Sequence, residues 1–232
     1  MSNMENINKY KNNGLTGLIN LGNTCYINSC LQALSHCYEL NDYLNNNLEN
    51  DIENKINKLP CSILLLEWNK LRKMMWSKNC TISPQGFINS VHNVSRILKK
   101  DIFSGFAQND IHEFLLFLID SFHDSIKRKV TINIEGKVIN KKDKLAIECY
   151  KMIKNTYSDN YSELLELFYG IQVTKISSIN FEILSATPEL YCILSLPIPK
   201  TENNKCDLID CFKLYCENEF LSGDNAFFNE KK

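Results

Sequence analysis

The residues with the clearest chemical potential lie in GLTGLINLGNTCYINS, residues 14 to 29, where Cys25 follows a run of turn-formers and precedes an apolar helical pattern. If Cys25 opens a helix, the free N–H groups and the positive dipole end of that helix sit at its sulfur and favour an anion there. Gly22 allows close approach of backbone to a substrate carbonyl. A side-chain amide just upstream, Asn20 or Asn23, is placed to donate to a developing oxyanion. Acyl transfer through a cysteine needs these parts: a thiolate, a helix start, and donors for the tetrahedral intermediate. The competing reading makes Cys25 one more buried thiol among ten cysteines, since cysteine is among the residues most often buried.

A nucleophile also needs a base. The chain has four histidines, His36, His92, His112 and His123. His112 and His123 fall on or beside a long apolar helix, where an isolated histidine usually serves the structure. None occupies a Gly- and aromatic-flanked strand late in the chain, so residue types alone do not identify the base.

The elements that must hold these residues follow from periodicity. After Thr24, a candidate N-cap, Tyr26, Ile27, Cys30, Leu31, Leu34 and Cys37 recur at helical steps. The Asn-rich stretch 41–57 reads as a loop or frayed helix. Leu64, Leu65, Trp68, Leu71 and Met75 predict a helix over 59–76, and Ser83-Pro84-Gln85 predicts another, with a serine cap and proline at the first helical position. Over 108–126, Ile111, Phe114, Leu115, Leu118, Ile119, Phe122 and Ile126 form an unbroken apolar stripe. Beyond 130 the texture changes. VTINIEGKVI alternates as a strand or hairpin does, with Gly136 near the turn. A short helix is expected over 161–168, then strands in YGIQVTKISS and INFEILSATPELYCILSLPIP. Ile209, Phe212, Leu214 and Leu221 suggest a terminal helix before a polar tail. Residues 1–13 read as a disordered or loosely held lead-in. A helical first half followed by strands gives an α+β class.

Composition narrows the function. The 232 residues suffice for a real core, and 44% hydrophobic with 23% charged residues is ordinary for a globular protein. A formal net charge of -1 offers no basic field for nucleic acid or an anionic membrane, and the short lysine-rich pieces read as solvated surface. MSNMENINKYKNN has no apolar core of a secretory signal, and SILLLEW is far too short to span a bilayer. Many cysteines without an export signal imply a reducing compartment, cytoplasmic or nuclear. No C-x-x-C pair occurs, and Cys206, Cys211 and Cys216 step by five, which matches no metal-ligand spacing. No metal and no cofactor are expected.

GLINLGNTCYINSCLQAL resembles the cysteine box of the ubiquitin-specific proteases, the papain-like deubiquitinases. SGFAQNDIHEFLLFLIDSFHDSI resembles that family's second signature helix, and FYGIQVTKISSINFEILSATPELYCILSLPIP its paired strands entering the fingers. LIDCFKLYCENEFLSGDNAFF resembles the helix and turn that follow, and the four stretches occur in the family's order. The resemblance implies a papain-like fold over 14–232, with a helical thumb over about 14–128 and antiparallel fingers and partial palm over about 129–232. It places Cys25 on the nucleophile and Asn20 on the side-chain donor of the oxyanion hole. It places Gln108 and Asp110 on the border of the channel for the ubiquitin tail, and gives His112 and Glu113 structural roles. Ubiquitin and ubiquitinated proteins are the implied partners. Two departures stand out: no cysteines occupy the zinc positions near 177–180 and 229–232, and the histidine box, which in the family comes after the fingers, is absent. An incomplete palm is therefore expected. The implied activity is hydrolysis at the C-terminal glycine of ubiquitin through a Cys25 thioester, with a catalytically inactive ubiquitin-binding module as the alternative.

Overall fold

The computed structural model describes residues 10–52, 59–200 and 205–227, in a chain that divides into two compact units, Met1–Cys192 and Ile193–Lys232.

In the first unit the apolar periodicities become helices packed around one core. Helix α1 (Cys25–Ser35) buries Tyr26, Ile27, Cys30, Leu31 and Leu34. The Asn-rich stretch folds as α2 (Tyr38–Ile52) rather than a loop, because Leu40, Tyr43 and Leu44 still share one face and are buried. The rest of that stretch lies outside the described residues. Helix α3 (Pro60–Ser77) begins on a proline, whose missing N–H is no loss in a first turn. Helix α4 (Gln85–Ile97) starts one residue later than its sequence predicts: Pro84 takes the cap position, and Ser83 does not cap it. Helix α5 (Ile111–Ile126) presents the expected stripe. Trp68, Phe87, Phe114 and Phe122 are fully buried where these helices meet, each worth about 1.5–3 kcal/mol or more in transfer from water.

A two-residue parallel pair, β1 (Gly17–Leu18) with β2 (Thr81–Ile82), runs along this core. Further on come α6 (Lys141–Tyr157), α7 (Glu163–Phe168), β3 (Gly170–Ser177) and β4 (Ile183–Tyr191). The last two pair antiparallel from Gly170↔Tyr191, with an irregularity between Ile176 and Ser177. Helices followed by an antiparallel pair make this an α+β fold.

Three expectations change. Residues 130–139 form no strand: the segment is fixed by the Arg128↔Tyr161 bridge and by Val130 N donating to Ser158 O, while Val138 and Ile139 stay exposed. The alternation is present, but among the described residues the segment pairs with neither β3 nor β4. Helix α6, not anticipated, is fixed by a capping box between Asn140 and Asp143 and buries only Tyr157 fully. The lead-in is held from Tyr10 onward, where the Tyr10 ring stacks on Tyr38 at 4.2 Å and its hydroxyl donates to Asp42 at 2.7 Å. Residues 1–9 lie outside the described residues.

In the second unit, α8 (Leu208–Tyr215) is closed at its start by a capping box of Asp207 and Asp210. Leu221 lies beyond its end. Among the described residues no helix is long and apolar enough to cross a membrane.

Candidate active site

Cys25 is the first residue of α1 and is exposed. The chain reaches it through a loop fixed at both ends. On the upstream side, Gly17 N donates to Cys80 O at 2.8 Å and Ile19 N to Ile82 O at 2.9 Å, extending the β1–β2 ladder. From the helix side, Asn28 Nδ2 donates to Leu18 O and Ile19 O, and Gln32 Nε2 to Thr16 O at 2.8 Å. Asn28 and Gln32 are four residues apart and so share a helix face, which grips the strand leading to the loop. Ahead of them, the Thr16 hydroxyl lies 2.8 Å from Met75 O and 2.9 Å from Lys78 O and ties the segment to the end of α3.

The turn itself runs through two left-handed residues, Gly22 (φ 101) and Asn23 (φ 53). No atom crowds the place of a Cβ at Gly22, so glycine is there for its backbone conformation. Asn20 organises the turn. Its Oδ1 accepts from Gly22 N at 3.1 Å, Thr24 N at 3.1 Å and Thr24 Oγ1 at 3.0 Å. Two backbone donors require an oxygen in that place, which settles the orientation of the amide. Its NH2 has no hydrogen-bond partner among the described residues, and the residue is exposed.

Thr24 sits at the cap position, yet its hydroxyl accepts from Leu21 N at 3.0 Å and bonds Asn20 instead of the helix. No side chain caps α1. The first helical bond is Asn28 N to Thr24 O at 2.9 Å. The N–H groups of the first turn, beside the Cys25 sulfur, therefore remain open to an incoming acceptor.

The second predicted stretch forms another helix start. Asp110 N-caps α5, its Oδ1 accepting from His112 N at 2.7 Å and Glu113 N at 3.1 Å. Those bonds, chiefly that from Glu113, hold the carboxyl below its ordinary value. Gln108 is exposed beside it. Among the described residues, none of Asn20, Cys25, Gln108 and Asp110 hydrogen-bonds another. The link between the two stretches is a residue that sequence reasoning passed over, Asn109. Its Nδ2 donates to Ile102 O at 2.8 Å, to Ala107 O at 3.1 Å and to the Tyr26 hydroxyl at 3.2 Å. Tyr26, next to Cys25, also packs its ring edge-on to Phe114 of α5 at 5.3 Å. Burial, foremost, pushes the Tyr26 hydroxyl up, so it stays a neutral partner.

None of the four histidines hydrogen-bonds Cys25. His36 lies against Gln32 O and the Ser35 hydroxyl. His92 is buried with its ring edge-on to Phe106 at 5.0 Å, and burial lowers its proton affinity. His112 lies 3.4 Å from Asp110. His123 Nδ1 meets the Ser162 hydroxyl at 2.8 Å, and burial again lowers its proton affinity.

The other cysteines separate by burial. All ten are free thiols. Burial pushes Cys30, on the same helix as Cys25, up to about 12, and raises Cys37, Cys61 and Cys192 as well. Burial thus disfavours the thiolate at these four. Of the exposed ones, Cys25, Cys80, Cys206 and Cys216, only Cys25 opens a helix. Among the described residues no group of three or more His, Cys, Asp and Glu is placed to hold a metal ion. A groove of about 650 Å³ between α6, α7 and the extended 130–135 segment includes none of the four candidate site residues.

Comparison with known proteins gives a consistent picture. Residues 16–208 match the family model described as ubiquitin carboxyl-terminal hydrolase. The chain is 31% identical over 219 residues to ubiquitin carboxyl-terminal hydrolase Usp2 of Drosophila melanogaster, covering 92% of this chain and 22% of that protein. It is 31% identical over 223 residues to ubiquitin carboxyl-terminal hydrolase 2 of Homo sapiens, covering 95% of this chain and 36% of that protein. The chain thus spans well under half the length of these relatives. Its fold is shared with a chain of the SAGA Ubp8/Sgf11/Sus1/Sgf73 DUB module bound to ubiquitin aldehyde, at a TM-score of 0.62 and 20% identity, over 94% of this chain and 42% of that one.

Proposed function

Because the chain belongs to the ubiquitin carboxyl-terminal hydrolase family, we propose that it is the cysteine-bearing part of a deubiquitinating thiol protease, with a thumb over about 14–128 followed by fingers and part of a palm. The observation that carries this reading is the exposed Cys25 at an uncapped helix start, beside an asparagine whose oxygen is committed to its own loop and whose NH2 is free.

In the proposed reaction, the Cys25 sulfur attacks the carbonyl carbon of the C-terminal glycine of ubiquitin. The carbonyl oxygen takes up negative charge, met by the Asn20 NH2 and the open N–H groups of α1. The C–N bond breaks and the amine leaves with the proton given up by the thiol. Water then hydrolyses the thioester and restores Cys25. Gln108 and Asp110 border the tail, and Asp110 Oδ2, the oxygen not used in capping, is available to a basic residue of it. Ubiquitin and ubiquitinated proteins are the partners under this reading. Ten free thiols support action in a reducing compartment inside the cell.

The test is hydrolysis of a ubiquitin–fluorophore conjugate by the chain and by Cys25→Ala. Turnover that disappears in the variant supports the protease; equal background in both removes catalysis from this polypeptide. One observation favours a second reading, a silent ubiquitin-binding module: no histidine hydrogen-bonds Cys25. Saturable ubiquitin binding by a wild-type chain that shows no turnover would select that reading.

A further inference from the structure

The start of α8 brings together two thiols that chemistry at Cys25 does not use. Asp207 Oδ1 accepts from Asp210 N at 2.8 Å, and Asp207 N donates to Asp210 Oδ2 at 3.3 Å, a reciprocal capping box. A helix entered in this way folds the residue before its cap onto the fourth helical residue, a contact usually filled by two apolar side chains. Here those two positions are Cys206 and Cys211. The two thiols are near enough to influence each other electrostatically. Both are free, with Cys206 exposed and Cys211 buried.

We propose that Cys206 and Cys211 are a modification site, an oxidisable dithiol that closes into a reversible disulfide across the start of α8. The nearest rival is excluded by the helix itself. Cys216 is the C-cap of α8, five residues along from Cys211, a rise of about 7.5 Å. That exceeds the Cα separation of about 4.4–6.8 Å that a disulfide spans. Cys206, by contrast, is carried back onto Cys211 by the capping box.

The oxidant is a hydroperoxide. The accessible Cys206 sulfur attacks a peroxide oxygen, the O–O bond breaks, and a sulfenic acid forms with release of water or an alcohol. The Cys211 sulfur then attacks the Cys206 sulfur, the S–O bond breaks, and the departing hydroxide takes the Cys211 proton as water. Two thiols lose two electrons and the peroxide gains them; a dithiol reductant reverses the change. Burial, followed by the neighbouring Cys206, pushes the Cys211 thiol up, which suits Cys211 to resolving rather than initiating.

The sequence provides a direct readout. Lys205 and Lys213 flank the pair, so trypsin releases CDLIDCFK with both cysteines inside. The full chain is treated with hydrogen peroxide while folded, unfolded in denaturant with an alkylating agent, digested and weighed. The expected product is this peptide unalkylated and about 2 Da lighter, two hydrogens lost, becoming doubly alkylated after dithiothreitol. Cys206→Ser, at an exposed position, is expected to abolish the 2 Da loss without changing helicity. A doubly alkylated peptide under conditions that oxidise exposed Cys80 would overturn the proposal, as would a Cys206 linked to any other cysteine.

Discussion

Asn109 Nδ2 lies 3.2 Å from the Tyr26 hydroxyl, and this bond ties the helix start that carries Cys25 to the segment that carries Gln108 and Asp110. The two stretches are eighty-three residues apart in the chain, so neither local propensity nor helix packing alone fixes their separation. Asn109→Ala removes the tie and also leaves Ile102 O and Ala107 O without their donor. Tyr26→Phe removes only the tie. Urea unfolding should show a cost of about 0.5–1.5 kcal/mol for Tyr26→Phe and about 1–3 kcal/mol for Asn109→Ala. The double variant should cost less than the sum, with a coupling of about 0.5 kcal/mol or more. Strict additivity would mean that the bond contributes nothing to joining the two helix starts.

Much of this arrangement was legible in the sequence, and the parts that were not share a cause. Helices α1, α3 and α5 were visible because Leu31, Trp68 and Phe122 belong to apolar stripes that become buried. The stretch 130–139 alternates without joining a sheet, because alternation reports the capacity to pair and not the presence of a partner. Helix α6 was missed because its apolar residues are only half covered, though the Asn140–Asp143 capping box was readable. At the site, Cys25 stood out by its place between turn and helix. Asn28, Gln32 and Asn109 did not, since side-chain bonds to distant backbone carbonyls leave no periodic trace.

Asn20 has two ends with separable duties, and one substitution divides them. Asn20→Asp keeps an oxygen for Gly22 N, Thr24 N and Thr24 Oγ1 while deleting the NH2. The loop should survive, with stability within about 0.5 kcal/mol of the parent. If the NH2 stabilises an oxyanion, ubiquitin–fluorophore turnover should fall about 10²–10³-fold in kcat, with ubiquitin affinity little changed. Unaltered kcat in a folded Asn20→Asp protein would withdraw the donor role.

Two histidines, buried His92 and half-buried His123, give stability a defined acid limb. Burial, foremost, lowers the proton affinity of both His92 and His123 below the ordinary value of 6.5. The unfolded chain therefore takes up protons at a higher pH than the folded one does. For a group depressed in the fold, stability is full above the unfolded value and is lost as pH falls through the folded one. The urea midpoint should hold steady above pH 6.5 and decline as pH falls below it. His123→Gln, which keeps a partner for the Ser162 hydroxyl, should shallow that decline. A midpoint that rises on acidification over this range would contradict the assignment.

Asp110 is both a helix cap and a candidate for the channel border, and the two roles predict different outcomes in two variants. Its carboxyl lies below the ordinary 3.8 because Glu113 N and His112 N donate to it. Its stabilising effect is accordingly present above that value and fades as pH falls through the lower folded one. Asp110→Asn retains an acceptor for both N–H groups and removes the charge; Asp110→Ala removes both. Thermal melts should therefore rank the parent and Asp110→Asn close together, with Asp110→Ala lowest. Turnover should rank differently. If the free oxygen meets a basic residue of the ubiquitin tail, Asp110→Asn should raise KM for the ubiquitin conjugate several-fold despite a normal melt, and added salt should narrow the gap. Loss of activity that merely follows the melting temperature across both variants would leave Asp110 as a cap and nothing more.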